Sequence, residues 1–292
     1  MSRERDYRLG LILVTASAVA WSTSGLFTRA IGLDSATMLV WRGVFGALGV
    51  LAVVIAMQGT SGLVALVRMR AVGWLYAIVS AIGMLCFIGA LRNTTVAHVA
   101  IIYATAPLLA AALAWLTMRE QPPLSAAIAS LAALAGVALM VGFGREGNWT
   151  GDLLAFGMTL AMAAVMVIAR RYRDIPVLPA AALSALLSAA SATPFSHALS
   201  VTGNELALLA AFGLVNSAVG LALFTLGARL LPAIETALIG ALDAPLAPVW
   251  VWLWFGETPG RATILGGAIV FAAVLVHVVL QTRTISRHRK AV

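Results

Sequence analysis

Long apolar stretches alternate with short polar ones along the whole chain, and the apolar stretches have the length that crosses a bilayer. A helix needs ~20 mostly apolar residues to span a hydrocarbon core ~30 Å thick. Ten stretches meet that length: 9–31, 36–57, 71–91, 97–118, 124–143, 151–169, 177–198, 206–228, 233–255 and 262–281. Buried helices of a water-soluble protein would carry a polar face at helical period, and these do not. Membrane β-strands would be short and alternating, which these are not. The pattern predicts an all-α integral membrane protein of ten transmembrane helices.

Composition agrees with that picture and charge orients it. Hydrophobic residues make up 62% of the chain and charged ones 10%, against roughly 45–50% and 25% in soluble domains. The 19 cations outnumber the 11 acids, and all but Lys290 are arginine. They sit at the ends of apolar runs rather than on one polar face, so the surplus speaks for a lipid bilayer partner and against nucleic acid. With the N-terminus inside, the inner segments hold 14 cations and the outer ones 4 (Arg29, Arg92, Arg145 and Arg261), leaving Arg42 within a span. Cytoplasmic loops retain cations, so both termini are expected to be cytoplasmic. The start, MSRERDYRLGLILVTASAVAW, has the basic flank of a signal peptide. Its apolar run continues to about Ile31 without a small-residue cleavage site, and it is read as a retained first span. The single Cys86 leaves no intrachain disulfide and no cysteine metal cluster. Seven tryptophans fall toward span ends or in a connection, where the amphipathic ring prefers the interface, whereas Trp21 sits mid-span beside Ser22, Thr23 and Ser24.

The two halves of the chain repeat one another. APLLAAALAWLTMREQPP (106–123) parallels APLAPVWVWLWFGETPGR (244–261): Ala-Pro-Leu, an apolar run with Trp, then Glu-x-Pro, with the Pro-to-Glu spacing different by one residue. Gly10 and Arg29 bracket the first span as Gly151 and Arg170 bracket the sixth, at the same separation. Residues 1–145 and 146–292 are therefore expected to be two five-helix repeats. An odd number of spans makes the second enter the membrane from the opposite side. Inverted repeats place a site near the midplane at their interface, marked by helices interrupted at corresponding positions. Here those positions are Pro107 and Pro245, the expected hinges.

These features, with the AWSTSGLFTR stretch of the first span, the MLVWRG arginine of the second and the Glu-x-Pro pattern at Glu120 and Glu257, resemble the drug/metabolite transporter superfamily, in its ten-helix EamA-type exporters. The resemblance covers nearly the whole chain. It implies a secondary carrier of the inner membrane exporting amino acids, aromatic ones foremost, by alternating access, with a broad-specificity efflux carrier or a channel as alternatives. It implies a central cavity walled by the first, third, fourth, sixth, eighth and ninth spans. By depth, Trp21, Ser80, Met84, Tyr103, Thr105, Met158, Met162, Asn216 and Asp243 become candidate substrate-binding residues, with Ser24 beside them. A small-molecule substrate and a coupled proton are the candidate partners, and no obligate protein partner is implied.

Read residue by residue, the chemistry keeps two accounts open. Asp243 lies about 12 Å below the inner edge of its span at ~1.5 Å rise per residue. A carboxylate at that depth faces a bundle interior or a water-filled pathway. It would meet a substrate ammonium or a coupling proton; the competing account is a structural pair, or a bond to backbone freed by Pro245 and Pro248. Arg42, about two turns from the outer end of its span, is expected to snorkel to the interface as an anchor or pairing group. Trp21 and Tyr103 would stack on an amphipathic substrate, with Ser24, Thr105 and Asn216 orienting it, or would simply pack between helices. Met158 and Met162 share a helix face at i, i+4. Glu120 and Glu257 are read as structural, near helix starts where a carboxylate suits the dipole. Gly43, Gly46 and Gly49 point to close helix contact. No catalytic triad, HExxH or phosphate-loop pattern occurs, so no enzyme, metal site or cofactor is expected.

Overall fold

The computed structural model describes residues 2–142 and 148–290. Ten helices long and apolar enough to cross a membrane match the ten expected stretches: α1 (Glu4–Ala30), α2 (Ser35–Gln58), α3 (Ala71–Asn93), α4 (His98–Met118), α5 (Leu124–Val141), α6 (Trp149–Arg171), α7 (Val177–Phe195), α8 (Gly203–Gly227), α9 (Ala233–Phe255) and α10 (Arg261–Gln281). The first helix starts earlier than expected because its polar flank continues the same spiral. A short helix, Thr60–Val67, follows α2, and among the described residues there is no strand. An even number of spans puts both chain ends on one face, here termed the terminal face, opposite the far face. Arg145 and the boundary expected between 145 and 146 lie outside the described residues.

The packing order carries the repeat into three dimensions. Helix α1 lies on α8 as α6 lies on α3; α2 lies on α8 as α7 lies on α3; α1 meets α9 as α6 meets α4; and α2 pairs with α7, α4 with α9, and α5 with α10. Each of these contacts joins helices of opposite halves. Small residues permit them, because backbones must approach closely where lipid offers no hydrophobic drive. A Cβ on Gly43 would lie 2.7 Å from the Ala185 carbonyl oxygen, on Gly46 2.2 Å from Ser217 Cβ, and on Gly49 2.5 Å from Ala218 Cβ. The three glycines thus seat α2 against α7 and α8, as their spacing suggests.

Among the described residues three spans are interrupted and a fourth is underwound. Helix α4 breaks between Tyr103 and Ala106, and α9 between Gly240 and Asp243. Pro107 and Pro245 fall in the first turn of the helices that resume, where a missing N–H leaves no hydrogen bond unmade. Helix α1 breaks at Thr23 without any proline, and α8 carries a π-helical stretch, Gly213–Leu221.

The helix ends are tied in matching pairs. On the terminal face Arg170 of α6 grips Glu120 with two hydrogen bonds, 2.9 and 2.7 Å long. On the far face Arg29 of α1 pairs with Glu257 beyond α9. The two glutamates therefore bind arginines across the repeat interface; they precede α5 and α10 without entering their first turns, which corrects the dipole account. The opposite ends of the same helix pairs are tied too. His98 of α4 lies 3.0 Å from Asp152 of α6, and Tyr7 of α1 donates to Glu235 of α9 at 2.8 Å. Trp250 is not an interfacial ring, since its Nε1–H donates to the Ser22 hydroxyl at 2.7 Å, inside the α1–α9 contact.

Candidate functional site

The interruptions of α1, α4 and α9 face a common space. A cavity of about 790 Å³ lies between the halves, within the roughly 300–1,000 Å³ of small-molecule sites. It extends to the far-face ends of four helices, at Thr28, Ser35, Leu91 and Val96. Toward the terminal face it stops at Val165, Leu221 and Ala237. Below that level the buried side chains of Val14, Tyr76, Met166, Phe224 and Leu238 form a continuous apolar plug. Tyr76 reaches Thr225 across it at 3.2 Å. The molecule is thus closed on the terminal face.

Nine of the ten expected contact residues line this cavity: Trp21 and Ser24 of α1, Ser80 and Met84 of α3, Tyr103 of α4, Met158 and Met162 of α6, Asn216 of α8 and Asp243 of α9. Thr105 does not; it sits at the break of α4, where its hydroxyl donates to the Ile102 carbonyl at 2.6 Å. The same carbonyl also accepts from the Thr105 N–H at 3.0 Å, so the hydroxyl closes onto its own turn. Of the two prolines, Pro107 lines the cavity whereas Pro245 is buried, near Gly267 of α10.

Several lining residues are already occupied. The Asn216 amide donates to the Ser24 hydroxyl at 2.7 Å and to the carbonyls of Ala20 and Trp21 at 3.2 and 3.3 Å. Those carbonyls precede the break at Thr23 and also accept from the Thr23 and Ser24 hydroxyls, each at 2.6 Å, so Asn216 adds to local donors at the missing helical turn. Its donors are not free for a ligand. Trp21 donates through Nε1 to the Asn216 carbonyl at 2.9 Å, and its ring lies 4.7 Å from that of Phe224. It both packs and presents part of its surface to the cavity. Ser80 accepts from Ser184 at 2.6 Å.

The acid and the base of the cavity are differently placed. Asp243 opens the resumed helix of α9, next to the break, and has no ion partner among the described residues. Arg42 does not snorkel to the membrane surface; it lines the cavity wall. Its Nη2 lies 3.3 Å from Met84 Sδ, its guanidinium carbon 5.4 Å from the centroid of the Phe212 ring, and its buried Nε has no hydrogen-bond partner. The helix face decides this, since Gly43 and Gly46 turn α2 toward the bundle with Arg42 on the same side. Depth alone does not reveal a helix face, and that is why the sequence pointed elsewhere. Phe87, Ser184, Ser188 and Ser217 complete the polar and aromatic lining and carry no sequence signal of their own. At the rim Asp34 caps α2. Burial opposes its ionisation, but the Thr37 hydroxyl and the backbone N–H groups of Thr37 and Ala36, with His197 nearby, hold the carboxyl below its ordinary range. Among the described residues no group of three His, Cys, Asp or Glu side chains comes together to hold a metal ion.

Ten membrane-length helices in two repeats thus surround a central cavity closed at one face. The sequence profile of the EamA-like transporter family matches residues 8–142 and again residues 149–279. The chain belongs to the EamA-like transporter family, within the drug/metabolite transporter superfamily, and is a membrane transporter of small metabolites. One solved crystal structure, described only as that of a protein, superposes with a TM-score of 0.80 at 20% identity, over 93% of this chain and 98% of the other. It attests the fold. No curated protein matches the chain.

Proposed function

We propose that this protein exports amino acids, aromatic ones foremost, across a bacterial inner membrane by alternating access, with both termini in the cytoplasm and the repeats divided near residue 145. The supporting observation is that Asp243 and Arg42 line one cavity and that neither has an ion partner among the described residues. An unpaired charge at membrane depth is costly and marks a substrate or ion pathway. An acid and a base in one chamber suit an ammonium and a carboxylate, the two ends of a zwitterion. Trp21, Phe87 and Tyr103 offer faces to an aromatic side chain. Arg42 would take the carboxylate and Asp243 the ammonium, and opening of the terminal face would complete the cycle.

A second reading, a broad-specificity efflux carrier, draws on Met84, Met158 and Met162, whose flexible thioethers repack around ligands of different shape. Uptake of labelled amino acids into proteoliposomes tests both. Saturable counterflow of phenylalanine, tyrosine or tryptophan is expected, lowered about tenfold or more by Asp243→Asn and by Arg42→Gln in monodisperse protein. Counterflow of drug-like cations with none of any amino acid would favour the second reading. Non-saturable flux would favour a channel.

A further inference from the structure

Below the cavity plug, three side chains that the binding site does not use meet inside the terminal-face packing. Tyr7 comes from the first turns of α1, Glu235 from the first turn of α9 and His277 from α10. The Tyr7 hydroxyl donates to Glu235 Oε2 at 2.8 Å, while Glu235 Oε1 stands 3.8 Å from His277 Nε2. The Glu235 and His277 side chains are both 0% exposed. Among the described residues Glu235 Oε1 and both ring nitrogens of His277 have no hydrogen-bond partner. Buried polar atoms are ordinarily satisfied, and leaving a carboxylate oxygen and an imidazole both open is strongly unfavourable. A hydrogen between Oε1 and Nε2 would satisfy those two atoms and leave Nδ1 open.

Among the described residues no neighbouring charge does that work instead. Glu4 and Arg8 of α1 pair with each other, as do Glu120 and Arg170 at the ends of α4 and α6. Arg5, Asp6, Arg119 and Arg171 are exposed. Helix α5 carries no titratable side chain. Arg261 and Glu257 lie at the far face, and Asp243 opens the next helical segment of α9, on the cavity wall.

We propose that Tyr7, Glu235 and His277 form a proton-binding site that links proton uptake to closure of the terminal face, a proposal that rests on the alternating-access reading. One proton from water joins the Glu235–His277 pair, taking its charge from minus one to zero, and no other bond forms or breaks. With that proton the site is neutral and the packed, terminal-closed arrangement is favoured. Without it a lone negative charge is buried between the two halves, and separation of α1 from α9 lets water reach Glu235 and stabilise the carboxylate. Proton binding and closure are thus reciprocally linked.

The test follows terminal-face opening without any transported substrate. In a Cys86→Ala background, a cysteine is placed at Ala228, buried on the terminal face, and its alkylation by a water-soluble maleimide is timed across pH as a ratio to the rate of the same protein unfolded in detergent at each pH, which removes the ionisation of the thiol itself. This relative rate is expected to fall about tenfold from ~pH 8.5 to ~pH 5.5. Glu235→Gln should label slowly at every pH, and His277→Gln should displace or flatten the profile. A pH-independent rate in the parent, or an unchanged profile in Glu235→Gln, overturns the proposal. If Glu235→Gln fails to fold, His277→Gln and Tyr7→Phe decide, and an unchanged profile in both overturns it. Because no amino acid is present, failure of the substrate assignment leaves this result standing, and the converse also holds.

Discussion

The crossing of α1 with α8 and its counterpart, α6 with α3, occupy equivalent places in the two repeats but are built from different chemistry. The first is polar and irregular. Ser17 donates to the Gly220 carbonyl at 2.8 Å, Trp21 to Asn216, and Asn216 back to α1, at a break in one helix and a π-helical stretch in the other. The second is apolar and regular: both helices are continuous, and Gly83 and Gly157 face Ala161 and Cys86. The offset of 141 that lays Gly10 on Gly151 also lays Trp21 on Met162 (162 − 21 = 141). An indole held by a hydrogen bond on one side thus answers a flexible thioether on the other. The repeat preserves the backbone path, while each crossing is free to be a pinned joint or a smooth contact. Irregular turns such as the π-helix concentrate at functional sites, which suits the pinned crossing.

The difference can be broken most sharply by crowding. A Cβ on Gly220 would lie 2.6 Å from Trp21 Nε1, whereas one on Gly157 would lie 3.4 Å from Cys86 Sγ. Gly220→Val should lose about 3 kcal/mol or fail to fold, because overpacking a fitted contact costs ~1–3 kcal/mol and occasionally more. Gly157→Ala should stay within about 0.5 kcal/mol. Thermal unfolding in detergent, followed by circular dichroism, compares them, and equal losses would abolish the distinction.

Removing donors gives a middle-sized effect. Asn216→Leu leaves the Ala20 and Trp21 carbonyls and the Ser24 hydroxyl without the amide, at a cost of about 1–3 kcal/mol. A smaller effect comes from Trp21→Phe, which keeps an aromatic ring and loses one hydrogen bond, about 1 kcal/mol. Its counterpart Met162→Leu keeps volume and should cost less. A larger loss for Met162→Leu than for Trp21→Phe would reverse the assignment of joint and contact.

The spans, the repeat and the breaks at Pro107 and Pro245 are legible in the sequence because each depends on length, spacing or a missing N–H, all local properties. The break at Thr23 and the π-helical stretch are not, since they arise where Asn216 of one half meets carbonyls of the other. Depth in the membrane identified most cavity residues but not their direction. Thr105 lies at the right level but faces its own helix, and Arg42, close to the surface by depth, is turned inward by its helix. Glu235 escaped notice for a related reason: one turn from a span end, it reads as a surface acid until Tyr7 and His277 enclose it.

The pairing of every helix with partners from the opposite repeat has a consequence for biosynthesis. When α5 leaves the insertion machinery, the surfaces that will meet α6 to α10 still face lipid, and Gly136 of α5 waits for Gly266 of α10, whose backbone it will touch. The first half cannot finish folding on its own. Its small-residue faces lack their partners until the second repeat is made, and Arg29 lacks its own until Glu257, beyond α9, is reached.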